Sequence, residues 1–380
     1  MKIGIDCRMF STNFTGIGRY TYELVKNLEK DPKAAANNYV LFFNNPEYKK
    51  DTPAKSNFKK VLADTPHYSL KEQTQFLKLL NEQNLDLMHF THFNAPIRYK
   101  KPFVVTIHDL THTLFPGRKM RSIPYRIAYK KVIKNAVKKA KYVIAVSENT
   151  KQDLVRMLKT PPEKIHTIYE GANKEFHQLK PAELAKQTQI LKKKYNITKP
   201  FLLYTGVHRY HKNLPRLIKA FSLIAHKSTA NKLKLVITGK PDPLYPEAEQ
   251  ATKQFHLENR VILPGLVPED ELIALYNLAE AYVFPSLYEG FGLPILEAFA
   301  CGTPVIASDV SSIPEVAGKN NALFFDPEDP KDIAEKIRTL LKTPSLQNDL
   351  KQKGLVRVKA FSWRKMAKEI LDLYNKSVQK

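Results

Sequence analysis

Cysteine is almost absent from this 380-residue chain, which contains only Cys7 and Cys301, far apart in sequence. Two distant cysteines cannot build the disulfide framework of a small secreted protein, and they favour a reducing, cytoplasmic setting. No run of about 18 apolar residues is present, so the sequence predicts no membrane-spanning helix. The N-terminal MKIGIDCRMF also lacks the apolar region of a signal peptide.

Acidic residues are scarce relative to basic ones. The chain has 61 Lys and Arg against 37 Asp and Glu, a net charge of +24, and residues 1–180 hold 32 of these cations against 16 acids. Such an excess favours anionic partners: nucleic acid, a membrane surface or phosphorylated small molecules. General solubility in a lysine-rich proteome is the plainer explanation of the same charge.

Short apolar, β-branched runs alternate with helical patterns along the whole chain. Such runs are typical of parallel strands buried on both faces, and two series of them predict two doubly wound α/β domains. The predicted strands are Ile3–Cys7, Tyr39–Phe43, Leu87–Phe90, Phe103–Ile107, Tyr142–Val146 and His166–Ile168, then Phe201–Thr205, Leu235–Thr238, Val261–Leu263, Ala281–Phe284, Val305–Ala307 and Ala322–Phe324.

A polar stretch near residues 174–200 marks the expected domain boundary. It contains a predicted helix from Pro181 to Lys194, followed by NITKP. We expect an N-terminal domain at 1–175 and a C-terminal domain at 176–361. Residues 362–380 form an amphipathic pattern with Trp363, Met366, Ile370, Leu371 and Tyr374 on one face. This helix could pack on either domain, and packing back on the first is one possibility.

The segment YEGFGLPILEAFACGTPVIASD, residues 288–309, carries the strongest chemical signal. Glu289 stands in a loop after a strand, Gly290 and Gly292 follow, and Pro294 suits a first helical turn. Glu297 falls about two turns into the helix. Backbone N–H groups of such a turn can approach hydroxyls or phosphates, and a carboxylate suits a vicinal diol because both hydroxyls donate to it. An ordinary strand–loop–helix with exposed acids is the alternative.

A second segment, YTGVHRYHKNL at residues 204–214, places two cations after a strand. Gly206 opens the loop, and Arg209 and Lys212 precede a helix. Cations beside a helix N-terminus make a natural pyrophosphate site. A solvated basic loop is the alternative.

Two further motifs follow strands of the first half. TGIGRY contains Gly16 and Gly18 but lacks the full G-x-G-x-x-G, so by itself it is a weak sign of phosphate binding and equally fits a tight turn into a helix. VVTIHDL places His108 and Asp109 just past a buried strand. A structural histidine is the alternative there. Ser147 in AVSENTKQDL is predicted to cap a helix.

Together these motifs resemble the retaining glycosyltransferase family 4, also described as glycosyl transferases group 1. TGIGRY, VVTIHDL, AVSENTKQDL, YTGVHRYHKNL, VILPGLVPEDELIALY and the 288–309 block occur in the family's order over nearly the whole chain. The resemblance implies the GT-B fold, two Rossmann-like doubly wound domains facing a cleft. It implies catalytic roles for His108, Asp109, Arg209, Lys212 and Glu289. It also implies donor binding by Gly16, Gly18, Gly206, Arg209, Lys212, Glu289, Gly290, Phe291, Gly292, Leu293, Pro294 and Glu297.

The implied reaction moves a hexose from a nucleotide sugar to a glycan or lipid-linked acceptor with retention of configuration. VHRYHKN leans the donor weakly towards GDP-mannose, with UDP-glucose and UDP-N-acetylglucosamine open. Asp-x-Asp, which holds a metal on a diphosphate in another glycosyltransferase fold, does not occur, so we expect no metal or other cofactor. Two alternative functions stay open: a sugar-nucleotide epimerase or phosphorylase of the same fold, and an inactive carbohydrate-binding scaffold.

Residues 118–141 hold ten Lys and Arg and no acid. Apolar residues at Tyr125, Tyr129, Val132, Ile133, Ala136, Val137 and Ala140 predict one buried face of a helix with a basic outer face. That face could dock on an anionic membrane, which makes a peripheral location at the inner face of the membrane one expectation and a solvated helix the other. No base-reading motif accompanies the charge, so nucleic acid is not expected as a partner.

Overall fold

The computed structural model describes residues 1–11, 16–45, 47–117, 122–225 and 232–378. The chain divides into two compact units. The first comprises Met1–Leu110, Lys119–Gly171 and Ser362–Lys380, and the second comprises Thr111–Arg118 and Ala172–Phe361. The second unit thus begins four residues before the expected boundary, and it also takes a short segment from the first half of the chain.

The described residues of the first unit form seven strands: β1 Lys2–Asp6, β2 Asn38–Phe43, β3 Phe58–Leu62, β4 Leu87–Phe90, β5 Phe103–Ile107, β6 Tyr142–Ala145 and β7 Ile165–Thr167. All neighbours are parallel, in the order β3-β2-β1-β4-β5-β6-β7. The order therefore reverses between β1 and β4. In open α/β sheets, ligands bind beyond the carboxyl ends of the strands at such a reversal.

The described residues of the second unit form six strands: β8 Phe201–Thr205, β9 Lys234–Thr238, β10 Val261–Gly265, β11 Ala281–Phe284, β12 Val305–Ser308 and β13 Leu323–Phe325. These too are parallel, in the order β10-β9-β8-β11-β12-β13, with the reversal between β8 and β11. The predicted α/β class with two doubly wound sheets is confirmed.

Helices flank both sheets. They are α1 Gly16–Lys30, α2 Glu47–Lys50, α3 Leu77–Glu82, α4 Thr111–Leu114, α5 Ile123–Lys139, α6 Glu148–Leu158, α7 Pro181–Tyr195, α8 Leu214–Ala225, α9 Glu247–Gln254, α10 Glu269–Leu278, α11 Leu293–Ala300, α12 Ile313–Ala317, α13 Pro330–Lys342, α14 Pro344–Arg357 and α15 Trp363–Val378. Single helical turns occur at Pro32–Ala36, Glu72–Phe76, Pro162–Lys164, Tyr210–Lys212 and Val358–Ala360. None of the described helices has the length and apolar character needed to cross a bilayer.

The C-terminal helix α15 belongs to the first unit. Its predicted apolar face is buried throughout, from Trp363 to Tyr374. Inside the unit the Tyr374 hydroxyl lies 2.6 Å from His89 Nδ1 on β4. The helix is therefore tied to the sheet by a buried polar contact as well as by apolar packing.

The basic helix differs from the sequence prediction at its start. Helix α5 begins at Ile123, and residues 118–121 of the basic segment lie outside the described residues. Tyr129, Ile133, Ala136 and Val137 are buried as predicted. The placement of Tyr125 on the buried face was wrong, because the first turns of α5 are exposed and Tyr125 is 37% accessible.

Candidate functional site

The loop after β8 carries the cationic motif and is held tightly in place. Asn213 has a left-handed backbone, and its side-chain amide donates to the Pro285 carbonyl at 3.0 Å and to the Pro327 carbonyl at 2.8 Å. The Leu287 N–H donates to the His211 carbonyl at 2.8 Å. These bonds join the loop after β8 to the loop after β11. The two loops at the reversal of the second sheet therefore form one rigid edge.

The loop after β11 is fixed from a third side by two serines that precede α12. The Glu289 N–H donates to Ser311 Oγ at 3.1 Å. Ser312 Oγ lies 3.0 Å from the Glu289 carbonyl and 2.8 Å from the Phe291 carbonyl. Sequence analysis missed both serines, because nothing in their local pattern connects them to a loop some twenty residues earlier.

Helix α11 begins as the sequence predicts. Gly292 precedes it with φ of +117°, a backbone conformation that residues with a Cβ rarely adopt. Leu293 and Pro294 are its first two residues, and Pro294, which has no N–H to leave without a partner, suits this position. Glu297 is the fifth residue of α11, about one turn into the helix rather than two.

The structure brings Lys212 and Glu289 together at this edge. Lys212 Nζ donates to Glu289 Oε1 at 2.5 Å, and both side chains are largely but not fully buried. A charge-assisted bond of this kind is stronger than a neutral one. It fixes an ammonium group beside a carboxylate, and both side chains keep some contact with solvent. Gly206 and Arg209 lie in the same loop, and the Arg209 side chain is exposed.

Glu297 has a buried tyrosine beside it. The Tyr276 hydroxyl, on α10, donates to Glu297 Oε2 at 2.9 Å. Glu297 itself is half-buried, so solvent still reaches the residue. The Tyr276 hydroxyl therefore contacts one oxygen of this carboxylate. Tyr276 was not singled out from the sequence, because it precedes Glu297 by 21 positions.

His211 is a further member of the loop after β8 that the sequence analysis did not single out. Its side chain is buried, and in the sequence it lies between Arg209 and Lys212. Burial first, and then the charge of Lys212, lower the pKa of His211 to about 2. The imidazole is therefore neutral at physiological pH and adds no charge to the cations beside it.

At the reversal of the first sheet the structure places a buried charge network. Arg8 follows β1, and its guanidinium donates to Asp6 at 2.7 Å and lies 2.9 Å from Glu72. Burial raises the pKa of Asp6, but Arg8 outweighs it and the net shift is downward. The guanidinium also stacks on the Phe76 ring, 3.7 Å from its centre. Sequence analysis missed this network.

His108 has both ring nitrogens engaged within the first unit. Its Nε2 lies 3.0 Å from the Thr91 carbonyl, which can only accept, so Nε2 carries a hydrogen. Its Nδ1 lies 3.2 Å from Glu170 Oε1. The ring packs edge-on against Tyr20, with centroids 4.7 Å apart. Glu170 was not singled out from the sequence, because it lies 62 positions further along the chain.

The remaining predicted residues of the first unit lie near these elements. Asp109 follows His108 after β5 and is half-buried. Gly16 and Gly18 are in the first turn of α1, and a Cβ added at Gly16 would meet no atom within 4 Å. Thr15 of the same motif lies outside the described residues. In the part of the chain that the structure describes, no group of three or more His, Cys, Asp or Glu side chains is arranged to hold a metal ion.

Comparison with known proteins gives consistent matches over both units. A family model described as Glycosyltransferase Family 4 matches residues 14–176, and one described as Glycosyl transferases group 1 matches residues 186–357. O-antigen chain mannosyltransferase B of Escherichia coli is 29% identical over 98% of this chain and 99% of its own. O-antigen chain mannosyltransferase RfbU of Salmonella typhimurium is 29% identical over 70% of this chain and 68% of its own.

The fold also matches a solved structure. Sucrose-phosphate synthase from Thermosynechococcus elongatus superimposes with a TM-score of 0.77, covering 99% of this chain and 98% of its own at 22% identity. At that identity the likeness concerns the fold, and it agrees with the two parallel sheets described above.

Proposed function

Because the chain belongs to glycosyltransferase family 4, we propose that it moves a hexose from a nucleotide sugar to a glycan or lipid-linked acceptor. We further propose that the transfer retains the anomeric configuration and needs no metal ion. The observation that carries this proposal is the edge of the second sheet. There Lys212 Nζ lies 2.5 Å from Glu289 Oε1, and Glu297 lies on α11, the helix that follows.

The donor binds at this edge in the proposal. Lys212 and Arg209 contact the diphosphate, and the N–H groups of Gly290, Phe291, Gly292 and Leu293, at the start of the α11 helix, add partial positive charge. Glu297 accepts hydrogen bonds from both ribose hydroxyls, and Glu289 accepts hydrogen bonds from hydroxyls of the hexose. Gly206 and Pro294 shape the two loops around these groups.

The proposed chemistry depends on positioning and on the charge of the leaving group. The diphosphate departs from one face of the hexose, and the acceptor hydroxyl attacks from the same face through an oxocarbenium-like state. A phosphate oxygen of the leaving group takes the acceptor proton, so no protein base is required. Lys212 stabilises the negative charge that grows on the diphosphate, and such stabilisation is often the largest catalytic term.

The family resemblance implies that Gly16 and Gly18 of the first unit bind phosphate through their backbone N–H groups. It also implies that His108 and Asp109 of the same unit contact a hexose. Because His108 already binds Thr91 and Glu170, we propose that it contacts the hexose through its ring edge rather than through a spare nitrogen.

The hexose is proposed to be mannose, carried by GDP. The support is the two relatives named above, both mannosyltransferases by their descriptions, and the VHRYHKN segment. UDP-linked sugars are the competing donors.

The first turns of α5 are the proposed contact with an anionic membrane surface. Ile123 is 68% exposed and Ile127 is 61% exposed, and Arg126 lies between them. Helix α5 carries six Lys and Arg and no acid. Exposed apolar side chains among cations favour an interfacial position, in which each cation adds about 1 kcal/mol near anionic lipid. Flotation with phosphatidylserine vesicles tests this, with Ile127→Ser expected to reduce binding and phosphatidylcholine vesicles as the control.

A donor panel tests the central proposal. GDP-mannose, UDP-glucose and UDP-N-acetylglucosamine are each incubated with the protein and a set of glycan and lipid-linked acceptors, and release of the free nucleotide is measured. We expect release only with an acceptor present and most with GDP-mannose. Nucleotide release without any acceptor would favour a hydrolase or epimerase. Failure to bind or consume any of the three donors would overturn the proposal.

A further inference from the structure

Three hydroxyl groups from three different elements line up behind the Glu297 carboxylate. The Tyr276 hydroxyl is 2.9 Å from Glu297 Oε2, and Thr205 Oγ1, at the end of β8, is 2.9 Å from the Tyr276 hydroxyl. The Tyr282 hydroxyl, on β11, is 3.4 Å from Thr205 Oγ1. Both tyrosines are fully buried, and Thr205 is nearly so. The three hydroxyl groups form a continuous chain of hydrogen bonds that ends at Glu297, the carboxylate proposed to bind ribose.

Counting protons fixes the direction of this chain. An ionised carboxylate can only accept, so the single hydrogen of the Tyr276 hydroxyl goes to Glu297. Thr205 must then donate to the oxygen of Tyr276. The Tyr282 hydroxyl in turn donates towards Thr205, whose Oγ1 and backbone carbonyl both lie 3.4 Å from it. The bonds from Thr205 to Tyr276 and from Tyr276 to Glu297 therefore both point at the carboxylate, and bonds aligned in this way polarise one another and strengthen the last one.

Tyr276 itself has little freedom to move. Its backbone carbonyl accepts a 2.6 Å hydrogen bond from Thr303 Oγ1. Its ring packs edge-on against Phe176 at 5.7 Å and lies 5.3 Å from the Tyr282 ring. Thr303 belongs to the ACGTP segment that follows α11.

We propose that Tyr276 is a positioning residue that fixes the Glu297 carboxylate in the orientation that receives the ribose diol. This inference rests on the proposed function, in which Glu297 binds ribose. A carboxylate offers about four acceptor sites, so one bond from Tyr276 leaves capacity for two ribose hydroxyls. Since the orientation is fixed before the donor arrives, binding costs less side-chain entropy.

The test uses calorimetry with free nucleotides, which contain ribose but no hexose. GDP and UDP are measured on the wild type, and the tighter one is compared with its 2′,3′-dideoxy form on each variant. We expect Glu297→Ala to weaken ribonucleotide binding on the order of 10- to 100-fold and Tyr276→Phe about 5- to 10-fold. Both losses should disappear with the dideoxy nucleotide, because it lacks the hydroxyls that Glu297 receives.

Tyr204→Phe is the matched control. Tyr204 is a fully buried tyrosine of the same sheet whose hydroxyl has no hydrogen-bond partner among the described residues. Its loss should change nucleotide affinity less than about two-fold, since no bond is broken. Thr205→Val is a second variant that keeps the side-chain volume and removes the donor to Tyr276. It should weaken ribonucleotide binding about two- to three-fold, and it keeps the test usable if Tyr276→Phe does not fold.

The outcomes separate the two levels of the inference. Unchanged ribonucleotide affinity in Glu297→Ala would remove the ribose assignment, and the positioning role with it. A loss in Glu297→Ala without one in Tyr276→Phe or Thr205→Val would overturn the positioning role alone. An equal loss of ribonucleotide and dideoxy nucleotide in Tyr276→Phe would indicate general distortion of the unit and would also overturn it. In turnover experiments the positioning role requires a raised donor KM with little change in kcat.

Discussion

The two sheets reverse their strand order in the same way but place different chemistry at the reversal. In the first unit Arg8 is fully buried and its charge is matched by Asp6 and Glu72. In the second unit Lys212 and Glu289 remain partly accessible, and Arg209 is exposed. A buried, internally matched charge serves mainly the fold. An accessible cation beside a carboxylate can exchange its partner for a ligand.

This comparison shows why a strand-order reversal alone does not locate chemistry. Both reversals are crevices of the kind that bind ligands. What separates them is whether the charged groups there are accessible to solvent. In the first unit even His108 uses both nitrogens on Thr91 and Glu170. Substitutions at the two reversals should therefore affect different properties, stability in the first unit and turnover in the second.

Arg8→Met should give the largest change in stability. Removing the guanidinium leaves Asp6 and Glu72 buried without their cation, and breaking a buried pair in this way costs about 3–5 kcal/mol. Chemical unfolding followed by circular dichroism measures the loss. Arg126→Met, on the exposed side of α5, is the control and should stay within about 0.5 kcal/mol of the wild type. A small effect of Arg8→Met would mean that the network contributes little to folding.

Lys212→Ala should give the largest loss of turnover. Its ammonium group matters most as the diphosphate departs, and loss of one such group lowers kcat about 100-fold or more. Arg209→Ala should act in the same direction. Lys219→Ala removes an exposed cation from α8 and should leave both turnover and stability unchanged. Turnover near that of the wild type in Lys212→Ala would contradict the phosphate assignment.

Glu297→Ala and Glu289→Ala should separate binding from turnover. Glu297, fixed on a helix, should hold ribose equally in ground state and transition state, so its loss raises the donor KM and weakens nucleotide binding by about 1.5–3 kcal/mol. Glu289 should act on the reacting hexose, which the free nucleotide lacks, so its loss should lower kcat and leave free-nucleotide binding nearly unchanged. Equal losses for both, or the reverse order, would show that the two roles are assigned wrongly.

Local signals in the sequence were enough for many elements but not for their long-range partners. Ser147 caps α6 as predicted, because a cap depends on neighbours three residues away. Strand β3 was missed, because FKKVL is an edge strand whose lysines break the apolar pattern. Tyr276 and Glu170 were missed for another reason. Their partners are 21 and 62 positions away, and only the folded chain brings them together.

Acid should destabilise both units through one buried neutral histidine in each. Burial lowers the pKa of His89 to about 3 and that of His211 to about 2. The unfolded chain takes up these protons below about pH 6.5 and the folded chain does not, so stability falls as the pH drops through that value. At pH 5 each histidine should lower the free energy of unfolding by about 2 kcal/mol. Chemical unfolding at pH 7 and at pH 5 measures this loss of stability. His89→Gln should reduce the difference in unfolding free energy between the two pH values. An unchanged difference in that variant would rule out His89 as a source.

Chelation of metal ions should have the smallest effect of all, because the cations that stabilise the leaving diphosphate are proposed to belong to the chain itself. Lys212 is already held at the site by Glu289, and Arg209 lies three positions before it. No Asp-x-Asp pair is present anywhere in the sequence to hold a metal on the diphosphate. Turnover in excess EDTA should therefore equal turnover in Mg²⁺ or Mn²⁺. Loss of turnover in the chelator with recovery on adding Mn²⁺ would mean that the diphosphate needs a metal in addition to Lys212. The same experiment on Lys212→Ala sharpens the result, because added metal should not restore a charge that the protein supplies from a fixed position.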